Sequence, residues 1–454
     1  MLEQSFTAEN LRRIFDYENR KGANLEKEFF PDVAKINNEL KKIRKHIKSR
    51  KPGLSKEDYR EEKKKYGEKR NDLKQRKEKI LAEKLDQISA EISDKNFKIE
   101  IRKVSPASGK TAYSIKNDDP ASYFAIKQIQ YNFRKLYKVK QSNRYDIIRQ
   151  LTNVLDNRLP KCLIRTDIQN FYESVPKKEV LNKINKDSLL TPISKKIIRG
   201  ILNEYEKLSG NCIGIPRGIG VSAYLSELHM RGFDEAMMSC QDVAYYARYV
   251  DDIIVVFFLK NERDTSEYLD FIKEKIHERK LKINDAKKDS RNKTKKIDLF
   301  QPNNKNIEYL GYRINFGGKN KSRLNMSRKK INRYKKWIDL AFEQQKLRER
   351  ENKKAAAKTL FKRMLFLSGN TRLVGSKRHI LVGIYYSNSL LAENSNSLTS
   401  LDKYLKYKTC GLQDSWLKRR LERISFREGF IKRSFIKFSA KELSKITEIW
   451  KHEE

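Results

Sequence analysis

Asp251 and Asp252 stand side by side between two apolar and aromatic runs, residues 243–249 and 253–259. Two carboxylates about 4 Å apart repel by about 4 kcal/mol at an effective dielectric near 20. A fold that sets them between buried strands therefore calls for a cation, and an all-oxygen donor set favours Mg²⁺ or Mn²⁺ over zinc. A solvated Asp-Asp turn is the competing reading of the pair alone. A third acid, Asp167, closes the run Leu163-Ile-Arg-Thr-Asp167. If that run neighbours the others in one antiparallel sheet, three carboxylates converge. Nucleotidyl transfer by two metal ions requires this kind of site: one ion activates a 3′-hydroxyl, and both offset the charge at the α-phosphate as pyrophosphate leaves.

The flanking runs are β-branched and aromatic, which predicts two strands with Asp251 and Asp252 at the turn of a short hairpin. Gly214-Ile-Pro-Arg217-Gly218-Ile-Gly220 reads as a turn whose glycines let backbone approach a bound duplex, and the apolar run after it (223–238) as a helix beneath the sheet. Residues 97–101, 281–284 and 306–314 have strand character, with a turn and second strand following the first by Tyr113. Residues 123–136, 147–155, 188–208 and 266–277 have helix character. Ahead of them, Val33, Ile36, Leu40, Ile43 and Ile47 stripe one helix, which Lys51-Pro-Gly breaks. Ser55 followed by Asp58 caps a second helix with a stripe through Leu73, Ile80 and Leu81, so a helical hairpin is expected. Past Gly318, the stripes Ile331-Tyr334-Ile338-Ala341 and Leu360-Met364-Leu367 predict two more helices, the second capped at Gly369, and residues 380–450 read as helical and basic.

Lys and Arg number 101 against 59 Asp and Glu, a net charge of +42. A partner with dense phosphates is the first expectation, because each phosphate contact releases condensed counterions. The basic helices of the N-terminal hairpin could hold RNA, or could keep a long helix in solution. Cys162, Cys212, Cys240 and Cys410 lie far apart with no Cys-x-x-Cys, which argues against a zinc site or a disulfide framework and fits a reducing cytoplasm. The first residues lack a secretory pattern, and the longest apolar run is too short to span a bilayer. A soluble cytoplasmic protein with no membrane partner is expected.

Tyr249-Val250-Asp251-Asp252 resembles the catalytic signature of reverse transcriptases. Asp167-Ile-Gln-Asn-Phe-Tyr-Glu-Ser is similar to the first catalytic motif of their bacterial and group II intron branch, and Gly214-Ile-Pro-Arg-Gly-Ile-Gly-Val-Ser to the template-gripping motif between the two. Asn284 with Lys287 resembles the next motif, and Tyr309-Leu-Gly-Tyr312 the primer-grip hairpin. The five motifs come in family order across roughly residues 100–320. The resemblance implies an α+β fold, a right-hand polymerase with fingers, a palm built on an antiparallel sheet and a helical thumb. The divisions expected are a basic helical N-terminal extension (1–95), fingers and palm (96–318), and thumb with C-terminal region (319–454).

Roles follow from the same resemblance. Asp167, Asp251, Asp252 and the backbone oxygen of Ile168 would hold two Mg²⁺, with Mn²⁺ an alternative, and Lys287 would protonate or steady the departing pyrophosphate. Tyr172 takes the position of the steric gate against a ribose 2′-hydroxyl, which favours deoxynucleotides; Phe171 beside it reads as core. Arg217 and Gly218 would lie on the template side near the nascent pair. Lys103, Lys110 and Lys116 are candidates for the triphosphate, each with a solvated surface lysine as the competing reading. The middle motif departs from the family pattern: Arg217 stands for Gln, Ile219 and Gly220 for the next pair, and Ala223 for the last Pro. A cation at 217 could bind a phosphate or a guanine edge, giving restricted templating. The pattern is most like the reverse transcriptases associated with phage defence, and no RNase H or His-Asn-His nuclease pattern follows Gly318. The expected function is RNA-directed DNA polymerisation from dNTPs on a dedicated non-coding RNA, giving a DNA product and serving antiviral defence. Template-independent or protein-primed DNA synthesis, and a catalytically silent RNA-binding scaffold, are the competing readings. The primer, the oligomeric state and any partner protein stay open.

Overall fold

The computed structural model describes residues 2–50, 55–104, 111–116, 119–156, 159–258, 266–284, 294–299, 305–316, 323–373 and 380–450. It begins with helices α1 (Ala8–Arg20), α2 (Leu25–Phe29), α3 (Pro31–Arg50) and α4 (Lys56–Ser93). The expected hairpin is α3 against α4. Ser55 caps α4 by accepting the Asp58 backbone N–H at 3.1 Å. Ile36, Leu40, Ile43 and Leu73 form a small cluster at its outer end. The other half of α4 carries Leu81, Leu85, Ile88 and Ile92 into the main core, where they meet Leu11, Ile14 and Phe15 of α1. Helix α1 lies within the extension read as helical, Gly22 with φ +101° follows its end, and its amphipathic face is completed by α4 and by α5.

A two-stranded ribbon, β1 (Ile101–Val104) with β2 (Ala112–Ile115), is followed by α5 (Pro120–Leu136) and α6 (Arg144–Asp156). The strand expected at 97–101 therefore begins only at Ile101; Ile99 is buried without ladder partners. Next come β3 (Lys161–Asp167), α7 (Phe171–Ser174), α8 (Lys177–Asp187), α9 (Pro192–Ser209), α10 (Gly220–Ser239), β4 (Val243–Tyr249), β5 (Asp252–Phe258), α11 (Ser266–His277) and β6 (Lys295–Leu299). The sheet is antiparallel in the order β4-β5-β3-β6. Both faces are covered. Cys162, Ile164, Ile253, Val255 and Phe257 face a core shared with α5, α10 and α11. Leu163, Ile254 and Val256 face a second core built from α6 and the C-terminal helices. Burial on both faces explains why the run from Ile253 shows no polar alternation.

The segment read as a strand at 281–284 makes only one bridge, Ile283 to Ile168. The strand that completes the sheet beside β3 lies later, at β6, and is rich in lysine. Its edge position tolerates charge, so its hydrophobic pattern is weak. A second sheet follows: β7 (Lys305–Tyr309), β8 (Tyr312–Phe316) and β9 (Arg323–Met326). The C-terminal region is α12 (Arg328–Glu349), α13 (Lys353–Ser368), the pair β10 (Asn370–Arg372) and β11 (Leu381–Gly383), then α14 (Asn396–Cys410), α15 (Ser415–Glu422), α16 (Phe426–Ile431) and α17 (Ala440–Thr447). The region read as wholly helical from 380 thus opens with a short strand, whose partner is supplied by β10. Among the described residues no helix is long and apolar enough to cross a membrane.

Candidate active site

Register places the acids. Along β3 and β5, Asp167 stands directly opposite Asp252, and Tyr249 closes the hairpin against Asp252, leaving Val250 and Asp251 as its two-residue turn. Val250 has φ +61°. A β-branched residue in that region is strained, at a cost on the order of 1–3 kcal/mol. The turn is pinned from two sides. Ile168 donates its N–H to the Asp251 carbonyl at 3.1 Å, and the Arg248 guanidinium donates to the Val250 carbonyl at 2.9 Å. Asn284 donates its N–H to the Asp167 carbonyl at 2.8 Å, so the segment after α11 braces the end of β3.

The Asp252 carboxylate is held by Arg165, with Nε to Oδ1 and Nη2 to Oδ2 both 3.0 Å. Arg165 also donates to the Glu308 carbonyl and lies 5.5 Å from the Tyr309 ring centroid. The Tyr309 hydroxyl donates to the Asp252 backbone oxygen at 3.0 Å. The β7-β8 hairpin therefore reaches Asp252 directly and through Arg165. Sequence reading missed Arg165, although the alternation of β3 gives the signal: two residues before Asp167, it lies on the same face. Among the described residues, no three His, Cys, Asp or Glu side chains gather into a metal cluster. The convergence of all three carboxylates is thus incomplete in this structure. The donor chemistry still fits a hard cation. Every donor is an oxygen, and Arg165 neutralises one of three negative charges, leaving enough for a divalent ion.

Phe171 is 2% exposed and belongs to the core. Tyr172 is only partly buried and packs edge-on against it, with ring centroids 5.4 Å apart. Burial pushes the Tyr172 phenol up, and Asp251 and Glu227 add to the rise. The glycine turn reaches this helix: Ile215 donates its N–H to the Tyr172 carbonyl at 2.8 Å, and Arg217 accepts from Tyr113 N–H at 2.7 Å. Gly218 has φ +95°, and a Cβ there would sit 2.5 Å from the Tyr113 carbonyl oxygen. Gly218→Ala is therefore expected to destabilise the chain by about 1–3 kcal/mol in urea unfolding. Gly200→Ala, in the open interior of α9, should instead stabilise it by about 0.5–1 kcal/mol. Equal effects at the two positions would refute the close-approach argument.

Residues 115–314 match the family model described as reverse transcriptase (RNA-dependent DNA polymerase). This stretch, which holds β3 to β5 and the three acids, is similar to a reverse transcriptase domain. Solved structures with similarity include apo telomerase from Candida tropicalis truncated from its C-terminal domain, 15% identical over 51% of this chain and 55% of that one, with TM-score 0.36. The apo telomerase from Candida tropicalis is 13% identical over 78% and 61%, with TM-score 0.37. Telomerase from Candida albicans in complex with a TWJ fragment of telomeric RNA is 12% identical over 65% and 56%, with TM-score 0.34. The chain spans between half and two thirds of the length of these three. No curated protein matches.

Within the matched stretch, Arg217 does not stand open towards a template. Its Nε and Nη2 each lie 3.2 Å from a Glu173 carboxylate oxygen, and its guanidinium sits 5.4 Å from the Tyr172 ring centroid. Glu173 was not singled out in the sequence; it follows Tyr172, and only the fold of the glycine turn brings residue 217 to it. Lys103 lies on β1, exposed, opposite Tyr113. Lys116 pairs with Glu100 at 2.9 Å on the surface. Lys110 and Lys287 lie outside the described residues. Behind the catalytic hairpin, Arg248 is 5% exposed and reaches Glu227 and Asp234 of α10, each at 2.7 Å. Burial opposes its charge, yet these acids more than offset that and hold its pKa well above the ordinary value.

Proposed function

We propose that the chain is an RNA-directed DNA polymerase that extends a 3′-hydroxyl with deoxynucleotides, on a dedicated non-coding RNA held by its basic flanks. The observation that carries the reading is the register of Asp167 against Asp252, with Asp251 in the adjoining turn, inside a reverse transcriptase domain. Asp167, the Ile168 carbonyl, Asp251 and Asp252 are the groups that would hold two Mg²⁺, and such ions make a hydroxyl a better nucleophile and offset phosphate charge. The protein's own part is positional. Arg165 and Tyr309 fix Asp252, Arg248 fixes the turn bearing Asp251, and Tyr172 fills the space a ribose 2′-hydroxyl would need. The net charge of +42 supports a nucleic-acid partner.

The resemblance of the middle motif to phage-defence enzymes supports an antiviral role. The expected result is that phage plating falls on cells expressing the wild type and not on cells expressing an active-site variant. Sequencing the RNA and DNA that co-purify with the protein tests the template: a DNA copy of one defined RNA is expected. A product matching no RNA would favour template-independent synthesis, which the departures in the middle motif and the engagement of Arg217 by Glu173 make the second reading.

Tyr172→Ala is expected to reduce discrimination against ribonucleotides by roughly 10- to 100-fold, since overpacking at a filled position costs about 1–3 kcal/mol. Single-nucleotide incorporation of dNTP and rNTP on the same primer measures it. Unchanged discrimination would remove Tyr172 from the gate.

A further inference from the structure

A cavity of about 540 Å³ opens between the N-terminal end of α6, the β7-β8 hairpin and the thumb helices, away from the three acids. Arg144, Lys330 and Arg333 line it, together with aromatic rings that include Tyr312, Trp337 and Tyr386. No aspartate or glutamate lines it, and among the described residues none of the three cations is in an ion pair. Two of them share one ring. The Arg144 guanidinium is 5.4 Å and the Lys330 ammonium 5.6 Å from the Tyr312 centroid. Arg333 lies 5.1 Å from the Trp337 ring.

Lys330 is the unusual member. It is 8% exposed, its ammonium donates to the Ser387 carbonyl at 2.9 Å, and it sits in the first turn of α12, the positive end of the helix. A cation there gains nothing from the helix dipole. Burial, with Arg144 and Arg333 nearby, pulls its pKa down to about 7. Arg144 is half-buried and Arg333 exposed beside it, so the folded chain retains the Lys330 charge at a cost in stability, because buried charge without counter-charge is unfavourable. A doubly charged anion relieves that cost. The flat rings beside the cations supply stacking surfaces for a base.

We propose that this cavity is a second binding site, for a terminal phosphate monoester attached to a nucleoside, as found at the 5′ end of a nucleic-acid strand or in a free nucleotide. A monoester carries about −1.5 to −2 charges at neutral pH against −1 for an internal diester. Three converging cations therefore select ends over chain interiors. The Arg144 guanidinium also fixes the neighbouring turn: Gly311 has φ +78°, and a Cβ on it would meet Arg144 Nη2 at 2.8 Å. The site thus adjoins the primer-grip turn without using the catalytic acids, and it does not depend on the chain being a polymerase.

The test uses the full-length wild-type protein without dNTPs and a six-nucleotide DNA labelled at its 3′ end, bearing either a 5′-phosphate or a 5′-hydroxyl, at one fixed salt concentration. At least tenfold tighter binding of the phosphorylated end is expected. Lys330→Met and Arg333→Gln should each bring that preference below threefold, with Lys330→Met melting no lower than the wild type. Should Lys330→Met fail to fold, Arg333→Gln and Arg144→Gln decide the matter. Free dAMP is the second arm. Displacement of the phosphorylated probe by dAMP at similar concentration identifies a free nucleotide as a sufficient ligand, whereas a persisting preference without displacement identifies a strand end. Equal affinity for both ends, or a preference untouched by all three substitutions, overturns the proposal. Loss of polymerase activity plays no part in the readout, so the two readings fail separately.

Discussion

Changing Asp251 and Asp252 together to asparagine is expected to lower dNTP incorporation by about 10³-fold or more while leaving RNA binding within about twofold. The size follows from the loss of preorganised charge at the reacting phosphate, where a single well-placed group is worth roughly 10²–10³ in rate. Shape is nearly conserved, so the hairpin and its register survive. Asp252→Asn nevertheless deprives Arg165 of its carboxylate, now held by two bonds of 3.0 Å. Asp251→Asn alone separates the effects, because Asp251 lies in the turn rather than in that pair. It should lose incorporation with little change in denaturation midpoint. Primer extension with Mg²⁺ and filter binding of RNA, measured on the same preparations, check both halves. A folded double variant that still incorporates dNTPs would falsify the mechanism.

Arg248→Met is expected to destabilise the chain by about 3–5 kcal/mol, the usual consequence of removing one partner from a buried ion pair. Two acids, Glu227 and Asp234, converge on this guanidinium, and the Tyr246 hydroxyl also donates to Asp234 at 2.6 Å. Without Arg248 both carboxylates face each other with no cation between them. The Val250 carbonyl loses its donor too, and with it the clamp on a turn strained by a positive φ at valine. Incorporation should therefore fall even in buffer where the variant is still folded. Combining Arg248→Met with Glu227→Gln and Asp234→Asn should restore more than half of the lost stability, and guanidinium unfolding measures each variant. If Arg248→Met alone unfolds like the wild type, the network is not what supports the hairpin.

Much of this site was legible from local pattern. The hairpin bearing Asp251 and Asp252, the acid ending β3, the helix beneath the sheet and the Ser55 cap each depend on periodicity, β-branched content or a side chain bonding its own backbone, all properties of neighbouring residues. The position of Tyr172 came instead from the resemblance of the motif after Asp167, and the structure puts Phe171 in the core with Tyr172 partly buried against it.

What the fold alone decided are partnerships between residues far apart in the chain. Arg165 and Asp252 are 87 positions apart, and Arg217 and Glu173 are 44 apart. Alternation puts Arg165 on the face of Asp167, but neither pairing has a sequence signal, because an arginine reads the same whether it meets solvent, a phosphate or a carboxylate. Only the β3-β5 register and the left-handed backbone at Gly218 bring them together. The lysine-rich β6 is a strand for the same reason, since its ladder partner lies in β3 and not in its own composition. The two acids at the hairpin tip were thus set by sequence, while their surroundings, an arginine on one acid and another over the Tyr172 ring, were set by packing. Cross-chain ion pairs follow the geometry that burial of the apolar strands imposes.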